Sequence, residues 1–192
     1  MADIDLIKKL RNTSGAGYSD CAFALKEANN DLNNAIIILR KKGLADVREK
    51  THKQVNEGAI GSYIHAGSRI GVLVQVQCQT DFSSKSPDFQ QFVKDLSMHV
   101  AAMNPLWISR SEVPQDIINR EREIAAVGIT GKPPQIVEKI VEGRLNKYFK
   151  IVCLLDQSFV KDQNITIEDL LGELAVKIKE NIVIKKFVRF EI

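Results

Sequence analysis

The chain has 192 residues, 44% hydrophobic and 27% charged, with a formal net charge of +3. That balance describes a folded globular protein and excludes a disordered one; it offers no general excess of positive charge for a nucleic-acid backbone. The most apolar stretch, Ile70 to Cys78, falls short of the ~20 residues a membrane helix needs.

Residues 3 to 43 predict three short helices. Leu6, Ile7 and Leu10 give the first an apolar stripe. Thr13-Ser14-Gly15-Ala16-Gly17 breaks it, with glycines able to take left-handed angles. Ser19 is placed to cap a second helix that buries Ala22, Phe23 and Leu25 to Ala28. Asn29-Asn30-Asp31 makes a turn and a new cap, and Leu32, Ala35, Ile36 and Leu39 share one face of the third helix. Arg40-Lys41-Lys42 then falls in a last turn before Gly43, where cations suit the helix dipole and glycine suits a C-cap. Helices this short are stable only when packed together, so residues 1–44 are expected to form a three-helix module of the ubiquitin-associated kind. Residues 45–56, with Arg48, Glu49, Lys50, His52 and Lys53, read as a helical or extended linker.

From residue 57 the period changes. Gly58 to His65 and Arg69 to Gln79 predict two strands joined at Ala66-Gly67-Ser68. In the second, Ile70, Val72, Val74, Val76 and Cys78 make one apolar face, and the other turns polar towards its end, as in a half-covered antiparallel sheet. Ser86-Pro87 announces a helix whose stripe is Phe89, Val93, Leu96, Val100 and Met103, closed by Asn104-Pro105. A second helix is expected over about Pro114 to Val127 with Ile117 and Ile124 inward, and a third from Pro133-Pro134 towards Leu154. Thr166 to Asp169 resembles a capping box ahead of Leu170, Leu171, Leu174 and Ile178. Asn181 to Ile192 reads as a strand completing the sheet. Segregated strands and helices make residues 57–192 an α+β core: an antiparallel sheet packed with helices.

Catalytic patterns are missing. Cys21, Cys78 and Cys153 are odd in number and widely spaced, without a Cys-x-x-Cys pair, and read as buried free thiols rather than a zinc site or disulfides. His52, His65 and His99 lie far apart in the sequence without metal-ligand or triad spacing. There is no P-loop, and Gly15-Ala16-Gly17 follows a helix rather than a strand, the wrong context for a dinucleotide fingerprint. The residues suggest no enzyme, cofactor or metal. One segment stands apart: Thr80-Asp81-Phe82-Ser83-Ser84-Lys85, a loop with an aromatic beside a carboxylate. On general grounds Phe82 should fold back onto the core and Asp81 should cap a turn.

Cys78-Gln79-Thr80-Asp81-Phe82 resembles the signature of the elongation factor Ts family. Leu10-Arg11, Thr13 through Gly17, Asp20-Cys21, Ala24-Leu25 and Glu27-Ala28 resemble that family's N-terminal domain, and Glu180-Asn181-Ile182-Val183 through Arg189-Phe190 its terminal strand. The resemblance implies a guanine-nucleotide exchange factor whose partner is elongation factor Tu in its GDP-bound form, without direct contact to nucleic acid or membrane. It implies that Asp81 and Phe82, with Thr80, push into the GTPase near its magnesium and phosphate site, Phe82 as a wedge, and that Arg11, Thr13, Gly15 and Gly17 contact the GTPase. Ser83 stands where the family usually has valine, a change expected to soften the loop's anchoring. The chain resembles the short forms, some of which act as homodimers, and the stretch from Cys153 to Thr166 resembles cyanobacterial and plastid members. With neither signal nor transit pattern at Met1 to Asp5, the expected location is the plastid (chloroplast) for an organelle-encoded protein, and otherwise a bacterial cytoplasm. Two other readings compete. One is a ubiquitin-associated-like module tethering the core to another partner; the other is a nucleic-acid binder using Lys185, Lys186 and Arg189.

Overall fold

The computed structural model describes residues 4–14, 16–49, 55–131 and 133–192, and only the backbone of 44–49. Its helices are α1 (Ile4–Ser14), α2 (Tyr18–Glu27), α3 (Leu32–Glu49), α4 (Asp81–Ser84), α5 (Pro87–Met103), α6 (Gln115–Ala126), α7 (Pro134–Val152) and α8 (Ile167–Ile178). Strands β1 (Glu57–Ile64), β2 (Ile70–Cys78) and β5 (Val183–Glu191) form one sheet in the order β1-β2-β5, while β3 (Ser158–Phe159) and β4 (Asp162–Thr166) pair separately and antiparallel. The fold is α+β, as the sequence implies.

The chain divides into two compact units, each built from separated segments. One comprises residues 1–59, 76–92 and 171–183. In it α1, α2 and α3 close around Ile7, Leu10, Cys21, Ala24, Leu25, Ala28, Ala35 and Leu39. Asn29 and Asn30 both take left-handed angles (φ 51° and 65°) in the α2–α3 turn, a conformation asparagine tolerates. Asp31 caps α3, its Oδ1 accepting from the N–H groups of Asn33 (2.8 Å) and Asn34 (3.1 Å).

Three expectations for this module are corrected. Gly17, not Ser19, is the N-cap of α2, with no side-chain bond, because α2 starts at Tyr18. Its φ of −63° is not left-handed either. Phe23 is half exposed rather than buried, and the Lys42 ammonium lies over its ring, 5.3 Å from the centroid. Gly43 does not end α3; the helix runs on to Glu49. A Cβ at Gly43 would come 2.5 Å from Cγ2 of Val176, so this glycine permits close approach of α3 and α8. Arg40 and Lys42 accordingly neutralise carboxylates rather than a helix end: Arg40 pairs with Glu173 of α8, and Lys42 Nζ with Asp20 at 2.7 Å. Lys50, His52 and Lys53 lie outside the described residues, as do the side chains of Arg48 and Glu49.

The other unit comprises residues 60–75, 93–170 and 184–192. In β2 the side chains of Val72 and Val74 are buried while Leu73 is exposed, the alternation read from the sequence. A Cβ at Gly61 would collide with Val93 and Ser97, so glycine lets β1 press against α5. Helices α6 and α7 pack around Val113, Leu145, Phe149, Val152 and Cys153, with Trp107 against the cluster. Ile117 packs there as expected, but Ile124 is exposed and Ala125 is the buried residue of α6. Thr166 and Asp169 do form the capping box: Asp169 N–H donates to Thr166 Oγ1 (3.1 Å) and Thr166 N–H to Asp169 Oδ2 (2.9 Å).

Candidate functional site

The segment after β2 is a tightly bonded single helical turn rather than an open loop. Thr80 is the N-cap of α4 in extended conformation (φ −124°, ψ 151°), and its Oγ1 accepts from the Ser83 N–H at 3.2 Å. The Ser84 hydroxyl donates to the Asp81 carbonyl (2.8 Å) and the Ser86 hydroxyl to the Ser83 carbonyl (2.8 Å). Gln90 Nε2 donates to the Ser84 carbonyl at 2.6 Å, and the Phe89 N–H to Ser86 Oγ at 3.3 Å, so the turn is sewn onto the start of α5. Cys78 Sγ donates to the Thr80 carbonyl (3.2 Å). Burial, with the charge of Glu180, pushes that thiol up to about 11, so it remains a neutral donor. All three cysteines are free and buried.

Held this way, the turn presents two side chains outward. Phe82 is 84% exposed, against the expectation that it folds onto the core. The physical reason lies next to it: Ser83 and Ser84 take the buried positions of the turn, and Thr80 takes the cap expected of Asp81. Asp81 Oδ2 meets Lys85 Nζ at 2.9 Å, one helical turn on, and the Lys85 hydrogen bond and charge hold its carboxyl below the usual range. Ser83 is 4% exposed, and its N–H donates to the Thr80 hydroxyl.

Glu180 is the residue that sequence reasoning overlooked as part of this site. Its Oε2 accepts from the N–H groups of Gln79 (3.1 Å) and Thr80 (3.2 Å), and its Oε1 from the Thr80 hydroxyl (2.7 Å). Burial pushes the Glu180 carboxyl up, but hydrogen bonds from Thr80, Ser83 and Gln79 outweigh it and leave the group below its ordinary value. No local pattern could reveal a partner a hundred positions away. The structure brings it there through the residue before it: Lys179 is left-handed (φ 62°) where α8 ends.

The other sequence-predicted contacts lie in the front module. Arg11 is exposed in the last turn of α1; Thr13 is exposed, its hydroxyl donating to the Lys9 carbonyl at 3.0 Å. Gly17 is exposed ahead of α2. Gly15 lies outside the described residues. Among the described residues no group of three or more His, Cys, Asp or Glu could hold a metal ion, and no helix is long and apolar enough to cross a membrane.

The model of the family described as elongation factor TS matches residues 24–192. The chain belongs to the elongation factor Ts family. It is 50% identical over 194 aligned positions to an elongation factor Ts of Carboxydothermus hydrogenoformans, covering 100% of this chain and 89% of that one. An elongation factor Ts of a Thermoanaerobacter species is 49% identical, with 100% of this chain and 95% of that one covered. The corresponding Geobacter sulfurreducens protein is 48% identical over 96% of this chain and 86% of its own.

Proposed function

We propose that this chain is a guanine-nucleotide exchange factor for elongation factor Tu in its GDP-bound form, with no catalytic site of its own. The observation that carries the reading is a largely exposed Phe82 beside an ionised Asp81 on a bonded turn, in a member of the elongation factor Ts family. Phe82 acts as an apolar wedge near the magnesium and phosphate site of the GTPase, and Asp81 as the charge that disturbs it. The module of residues 1–44 grips the GTPase through Arg11, Thr13, Gly15 and Gly17, and the core of residues 57–192 carries the wedge.

Exchange works by negative coupling, which is reciprocal: a factor that weakens GDP is weakened by it. A thousandfold loosening of GDP requires about 4 kcal/mol. Burying one Phe side chain contributes roughly 1.5–3 kcal/mol, so Phe82 must act with a wider interface. The relatives named above are bacterial, which favours a bacterial cytoplasm over a plastid. We further propose a homodimer through the apolar outer face of the sheet, where Ile60, Ile64, Leu73 and Phe190 are exposed.

The deciding experiment follows release of fluorescent GDP from elongation factor Tu. Wild-type chain is expected to accelerate release, and Phe82→Ala to lower the maximal rate by about 10- to 100-fold. Equal acceleration by both would move the work away from Phe82; no acceleration by folded wild type would end the exchange reading in favour of a tethering module.

A further inference from the structure

We infer that Glu180 is a positioning residue for the Thr80–Phe82 turn, its carboxylate fixing the direction in which Phe82 leaves the protein. The inference rests on the exchange reading of Phe82 given above. Both oxygens are used: Oε2 takes two successive backbone donors, Gln79 and Thr80, and Oε1 takes the Thr80 hydroxyl. A carboxylate only accepts, so the one hydroxyl proton of Thr80 must point at Glu180. The lone pairs of that hydroxyl are then left for the Ser83 N–H, the bond that caps α4. Glu180 therefore orients the cap as well as the chain entering it. Hydrogen bonds to a charged group are the stronger kind, so Glu180 adds the strongest bonds to those that sew the turn onto α5.

Delivery of the carboxylate is itself constrained. Ile178 ends α8, the Lys179 N–H closes on the Ala175 carbonyl at 2.8 Å, and the left-handed Lys179 turns the chain before Glu180. Buried Asn181 and Ile182 follow and hold the other side. Glu180 thus reaches the turn from backbone fixed on both flanks.

The test is Glu180→Gln in the full chain, measured in two ways. Amide hydrogen exchange at Gln79 and Thr80 should quicken by about tenfold or more, with Val74 and Val76 unchanged. In a titration against elongation factor Tu loaded with fluorescent GDP, the maximal release rate should fall by about tenfold. The half-saturating concentration should move less than twofold. Unchanged exchange at Gln79 and Thr80 overturns the inference, whatever the GTPase does. Faster exchange with an unaltered maximal rate also overturns it, as does a loss shared equally with Val74 and Val76, which would mark a general structural role. If the wild-type chain itself fails to release GDP, the exchange reading falls, and with it the functional half of the inference; the amide measurement still decides whether Glu180 holds the turn.

Discussion

His99 is wholly buried in α5, yet every polar atom of its ring is spoken for. The Val160 N–H donates to Nδ1 at 3.2 Å, so Nδ1 must be the unprotonated nitrogen. Nε2 then carries the proton and donates to Gln157 Oε1 at 3.0 Å, while Gln157 Nε2 donates to the Ile151 carbonyl. A proton added at Nδ1 would displace Val160 and place a charge among apolar side chains. Burial accordingly pulls the His99 value below 6.5, opposed by the Gln157 bond. A value depressed in the folded state means that the unfolded chain binds more protons below the ordinary histidine range. Unfolding free energy contributed by His99 should be constant above about pH 7 and decline as pH falls through 6.5, by at most about 1.4 kcal/mol per pH unit. Urea titrations of wild type and His99→Gln between pH 5 and 8 would check this. Parallel curves would show that His99 is not the group responsible.

At the scale of elements, what could be read from the sequence was whatever is decided within a few residues. Ser86-Pro87 opens α5, Thr166 and Asp169 cap α8 and Asp31 caps α3, all through bonds spanning two or three positions. The alternation of β2 was legible because only one of its faces is buried. The end of α3 was not, because Val176 and Glu173, more than 130 positions on, decide how that helix continues and where its charges go. The burial expected of Phe82 on general grounds fails for the same reason: Glu180 and two buried serines hold the turn so that the aromatic points out. The short β3–β4 hairpin escaped notice, since Ser158–Phe159 is too brief to show a period. The outer face of the sheet was only half legible. Strand parity sets Ile60 and Ile64 opposite Gly61, which faces α5, and a Cβ at Gly71 would touch Ile64. If this face joins two copies, charges there must separate them, because a buried unpaired charge is strongly unfavourable at an interface. Light scattering should give a dimer mass for wild type and a monomer mass for the Ile64→Lys, Phe190→Lys double variant. A wild type that stays monomeric at high concentration rules the dimer out.

On the scale of the whole molecule, α8 is the support shared by the front module and the proposed wedge. Arg40 and Gly43 of α3 meet it at Glu173 and Val176, Lys177 pairs with Asp88 of α5 at 2.6 Å, and Glu180 follows directly to hold Thr80. Gly43 is where this bracing can be altered with the least chemistry. Alanine in a helix interior is favoured over glycine by about 1 kcal/mol, so Gly43→Ala would stabilise α3 if nothing stood in the way. Here its Cβ would lie 2.5 and 2.9 Å from the two methyls of Val176, and β-branched valine has little freedom to turn aside. Overpacking of this kind costs about 1–3 kcal/mol, which outweighs the propensity gain. The expected net loss is up to about 2 kcal/mol. Val176→Ala removes both offending methyls, so the double variant should recover stability relative to Gly43→Ala. The same pair addresses function. A front module pushed away from α8 should grip the GTPase less well while the wedge stays anchored by Glu180. Gly43→Ala should therefore raise the half-saturating concentration for GDP release more than it lowers the maximal rate, and adding Val176→Ala should reverse that rise. A Gly43→Ala chain that is more stable than wild type and equally potent would show that α3 and α8 do not meet as closely as the structure has them.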